Sequence, residues 1–74
     1  MASLRKMSAN GDDKIAEWDP QTVSPEQLHK IEAEYNALAA KGYFVADITD
    51  GRNVLVKDFD PNADLLMIPR VQGG

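Results

Sequence analysis

The segment VSPEQLHKIEAEYNALAAKG (23–42) carries a full set of helix signals, and the rest of the chain must fold around it. Ser24 stands at the N-cap. Pro25 follows at the first helical position, where its missing N–H is no loss, and Gln27 completes a capping-box pattern. Val23 and Leu28 occupy the two positions of a hydrophobic staple. Leu28, Ile31, Tyr35 and Leu38 lie on one helical face, whereas Glu26, Lys30, Glu34 and Lys41 lie mostly elsewhere. Gly42 supplies the left-handed residue that ends such a helix. A helix over 25–41 with one apolar stripe needs a second layer to bury that stripe.

The flanking segments supply a sheet. YFVADIT (43–49) is aromatic and β-branched, and Asp50-Gly51 after it is a hairpin signal. NVLVKDF (53–59) alternates Leu55, Lys57 and Phe59 against Val54, Val56 and Asp58. The turn DPNA then leads into DLLMIPR (64–70), where Pro69 lacks a backbone donor and ends the strand or confines it to an edge. Before the helix, KIAEWDP (14–20) reads as a strand with Ile15 and either Ala16 or Trp18 turned inward. The first thirteen residues admit two readings, a disordered tail or a first strand joined to 14–20 through Asn10-Gly11. The expected architecture is a single α+β domain over 14–70, with one helix on a mixed sheet and the order (β)βαβββ.

Size and composition limit how this domain can be held together. At 74 residues it buries only about 60% of its unfolded surface. It contains no cysteine, which excludes both a disulfide framework and a thiolate zinc site. Stability therefore rests on the apolar core, and the 43% apolar share is enough for one. The formal net charge of -4 disfavours nucleic acid and anionic lipid as partners. No segment has the length of a membrane span, and MASLRKMSANGDD lacks the apolar core of a signal peptide. The sequence thus points to a cytoplasmic protein whose partners are proteins.

Little in the chain suggests catalysis. His29 is the only histidine and falls on the polar side of the helix, so no Ser-His-Asp set can be assembled around it with a clear geometry. No phosphate-cradling glycine loop or other cofactor motif is present. Asp58, Asp60, Asn62 and Asp64 have the alternate spacing of a calcium loop. However, Ala63 stands where the turn glycine is needed and Pro69 where the bidentate glutamate is needed, so no metal is expected. Trp18 reads as a core residue. The expectation is a protein that is not itself an enzyme and that holds no cofactor.

The C-terminus is the strongest functional signal. Gly73-Gly74 follow an expected strand after a short linker, and glycine resists ordering more than any other residue. A strand would fix where such a tail leaves the domain, and a tail without side chains could thread a narrow active-site tunnel. Residues 52–74, RNVLVKDFDPNADLLMIPRVQGG, resemble the C-terminal third of the ubiquitin-like sulfur carriers: the thiamine-biosynthesis carrier and the molybdopterin synthase small subunit. The matching pieces are Asp64 at the turn, Leu65 to Ile68 as the strand, then Pro69, Val71, Gly73 and Gly74. Arg70 and Gln72 stand where such tails often carry smaller or apolar residues.

The resemblance implies a β-grasp fold and a Gly74 carboxylate adenylated by an activating enzyme. The activated end would then serve for sulfur transfer or for conjugation to an acceptor protein. It further implies partner contacts at Pro69 and Val71, and Arg70 and Gln72, which lie beside them in the same tail, are expected to share that contact. The alternative is a non-catalytic interaction module, such as a small accessory or phage-type structural protein, in which the two glycines have no role.

Overall fold

The helix forms where its signals stand. Helix α1 spans Pro25–Ala40, and the Ser24 hydroxyl accepts a hydrogen bond from the Gln27 backbone N–H at 3.1 Å. At its other end Gly42 takes φ 94, and the N–H groups of Gly42 and Tyr43 donate to the carbonyls of Ala39 and Leu38. That pairing satisfies two carbonyls the helix would otherwise leave open. These features come from a computed structural model of the chain, which describes residues 1–9 and 11–69.

Five strands build the second layer: β1 (Ala2–Ser8), β2 (Gly11–Trp18), β3 (Phe44–Asp47), β4 (Val54–Val56) and β5 (Asp64–Ile68). They form one mixed sheet in the order β2-β1-β5-β3-β4. β1 runs parallel to β5, from Ser3↔Asp64 to Lys6↔Met67, and the other neighbours are antiparallel. The protein is a small α+β domain of β-grasp-like architecture, with one helix packed on a five-stranded sheet.

The expected stripe makes the core. Ile31, Tyr35 and Leu38 are buried with Ala2, Leu4, Trp18, Val45, Leu65 and Met67, and Leu28 packs half-buried against them. Ile15 and Ala16 both pack half-buried against the core, which the alternation of a regular strand would not allow. A bulge reconciles them: Leu4 pairs with Ala16 and Arg5 with Lys14, leaving Ile15 as the extra residue.

Three expected boundaries shift. Of the two readings of residues 1–13, the sheet contains the strand, as β1. Asp50-Gly51 does not turn a two-residue hairpin, because β3 and β4 start to pair only at Asp47↔Val54. A short 3-10 turn over Thr49–Gly51 intervenes, with Asp50 at φ 53 and Gly51 at φ 82. This connection is tethered to the start of β5. The Ile48 N–H donates to the Asp64 carbonyl, and the Asp64 N–H donates to the Thr49 hydroxyl, both at 2.9 Å. The third shift is in β4, which ends at Val56 rather than 59. Phe59 instead turns beneath the sheet, with ring centroids 6.0 Å from Trp18 and 5.4 Å from Tyr35.

Two further bonds hold the loop that carries Phe59. The Trp18 indole N–H donates to the Pro61 carbonyl and the Tyr35 hydroxyl to the Lys57 carbonyl, each at 2.9 Å. Burial, with a smaller contribution from the Asp58 charge, raises the Tyr35 pKa above its ordinary value and keeps the phenol protonated as a donor.

Candidate functional site

Strand β5 connects the core to the tail. Leu65 and Met67 are fully buried on the helix side, so packing on that side fixes the direction in which the strand leaves the domain. Its alternate residues Leu66 and Ile68 are only half-buried and lie on the opposite face, which no element covers among the described residues. Pro69 follows Ile68 half-buried and outside the strand, as its missing donor requires. Of the site residues expected from the sequence, Pro69 is thus placed directly after β5. Arg70, Val71, Gln72, Gly73 and Gly74 lie outside the described residues.

The uncovered face is itself ordered by register. Phe44 pairs with Ile68 across β3 and β5. In the next row, Lys14 pairs with Arg5, Arg5 with Leu66, Leu66 with Ala46, and Ala46 with Leu55. This row crosses all five strands and passes from two cations at one edge to apolar side chains at the other. Phe44 remains 50% exposed and Leu55 67%, whereas Ala46 between its neighbours is fully covered. In the row beyond, the Ser3 hydroxyl donates to the Asp64 carboxylate at 2.9 Å. Large apolar side chains grouped on an uncovered sheet face and bordered by charge are the mark of an interaction surface. Residue order alone did not reveal this surface, because apolar residues in a strand pattern do not show which face the helix covers.

The DFDPNAD segment does other work. The Asp60 carboxylate accepts from the Asn62 N–H at 2.9 Å, capping a turn, and Asp64 is committed to Ser3. Among the described residues no group of three His, Cys, Asp or Glu side chains is arranged to hold a metal ion. Millimolar calcium should leave the melting temperature unchanged, because stabilisation by a ligand requires specific binding to the folded state. A saturable rise, lost in Asp60→Asn, would restore the calcium-loop reading. His29 is exposed on the helix. No helix among the described residues is long and apolar enough to cross a membrane.

Comparison of the chain with protein-family models, curated proteins and solved structures finds no match. The class it belongs to is therefore defined by its own architecture, a β-grasp-like α+β domain with one uncovered, partly apolar sheet face.

Proposed function

We propose that this protein is a ubiquitin-like carrier or modifier whose reactive group is the Gly74 carboxylate. The observation that carries this reading is that β5 runs through the uncovered apolar face and ends at Pro69, with Gly73-Gly74 a few residues further along the sequence. The five residues 70–74 reach about 17 Å when extended. An activating enzyme seated on Phe44, Leu66 and Ile68 would therefore receive the carboxylate within that radius.

The chemistry requires little of the chain itself. The carboxylate attacks the α-phosphorus of ATP, forming an acyl-adenylate and releasing pyrophosphate. A hydrosulfide nucleophile then displaces AMP to give a thiocarboxylate, or a lysine amine displaces it to give an amide and a proton. The chain contributes a fixed exit point and two residues without side chains, which fit a tunnel shaped to bare backbone. Having no cysteine, it offers no internal thiol to intercept the activated acyl group.

The test follows from Arg70. Trypsin cleaves after it and leaves Val71-Gln72-Gly73-Gly74 as the terminal fragment. In tagged protein recovered from its native host, the fragment should appear in one of two forms. The first is attached to a lysine of another protein, and the second has one oxygen replaced by sulfur. Recovery of the unmodified fragment alone, under conditions where the host's adenylating enzymes are active, contradicts the proposal and favours the interaction-module alternative.

A further inference from the structure

The two edges of the sheet differ in a way the carrier reading does not use. At one edge, β2 carries Asp12, Asp13, Lys14 and Glu17 and contains the bulge at Ile15 in its pairing with β1. Charges and bulges of this kind discourage another chain from adding to an edge. At the other edge, β4 is Val54-Leu55-Val56 with no charge, and Val54 is 55% exposed. Its outer side pairs with no strand among the described residues.

Beside β4, between the helix-side face of the sheet and the loop that carries Phe59, lies an open cleft of about 390 Å³. Val56, Phe59, Pro61 and Leu65 supply its apolar lining, and Asp47, Asp58 and Asp60 line it with Lys57. Three carboxylates against one ammonium leave the cleft negative. Asp47 stays ionised well below neutrality. Hydrogen bonds from Thr49, side chain and backbone, lower its pKa against an opposing effect of burial, and Arg52 nearby adds to the lowering.

We propose that the β4 edge and this cleft bind an extended peptide carrying an aliphatic residue two positions from a lysine or arginine. The peptide backbone pairs with β4 as an added strand. Side chains two apart on a strand share a face, so both enter the cleft together. The aliphatic one packs on Val56 and Phe59, and the cation meets the three carboxylates. A strand of three residues gives few backbone bonds, so the cleft supplies the selectivity. Charge complementarity favours a basic segment over an acidic one.

The test uses the full chain and two capped peptides, Ser-Thr-Val-Thr-Lys-Thr-Val-Ser and the same peptide with Glu in place of Lys. Binding is followed by backbone amide shifts and by the fluorescence of Trp18, whose indole is bonded to the cleft wall at Pro61. The lysine peptide should bind about tenfold tighter than the glutamate peptide, with shifts centred on Val54–Val56 and on Asp58–Asp60. Asp58→Lys, an exposed position, leaves two carboxylates against two ammoniums and should abolish that preference without lowering the melting temperature. Removing Gly73-Gly74 should leave the affinity unchanged, which separates this site from the tail chemistry. Equal affinities for the two peptides, no saturable binding, or shifts centred on β2 or on the Phe44 face would overturn the proposal.

Discussion

Trp18→Ala should cost about 3–5 kcal/mol, the range for removing a large aromatic side chain from a core. The residue is 3% exposed, stacks on Phe59 and donates to the Pro61 carbonyl. The substitution therefore opens a cavity and removes a bond that pins the 57–63 loop under the sheet. A domain of this size has a total stability of roughly 4–11 kcal/mol, so a large share of it would be lost. At about 4–8 °C per kcal/mol, the melting temperature should fall by more than about 12 °C. Circular dichroism melts of parent and variant measure this directly. A fall of only a few degrees would mean that the loop and Phe59 are held by other contacts and that the aromatic cluster is not the clamp described.

Different parts of the fold were legible for different physical reasons. The helix could be read in full because caps, staple and stripe are local, and each agrees with the others. Strand β1 could not be decided, since its inward pattern consists only of Ala2 and Leu4 and its partner β5 is some sixty residues away in sequence. Arg5 obscured it further, yet Arg5 is compatible with an inner strand because the face it occupies is not covered. Asp50-Gly51 has the conformations a tight hairpin turn would use, with φ positive at both. Its hydrogen bonds, however, tie the connection to Asp64, a tether formed only once the fold is complete.

For the site, the sequence pointed to the tail but not to the face beside it. Apolar residues in a strand pattern read as core until the register shows which side the helix covers. Phe44 and Leu55 were ambiguous for that reason. Phe59 was misplaced for the converse one, since a loop residue can complete a core as well as a strand residue can.

The largest functional effect expected is that of deleting Gly73-Gly74. The deletion removes two residues that carry no side chain and follow Pro69 at a distance, so it should change stability by no more than about half a kcal/mol. It also removes the carboxylate on which the whole proposal rests, and the shortened chain would end on Gln72 with a side chain at the tip. Gly73→Ala tests the same point more finely, because one methyl group is harmless on a free tail and obstructive in a tunnel fitted to backbone. The most direct measurement is ATP–pyrophosphate exchange by an adenylating enzyme of the native host, with parent, Gly73→Ala and deleted chains compared at equal folded concentration. The account predicts exchange with the parent, strongly reduced exchange with Gly73→Ala, and none with the deletion, while all three melt together. Exchange that persists without Gly73-Gly74, or a deletion that unfolds the domain, would contradict it.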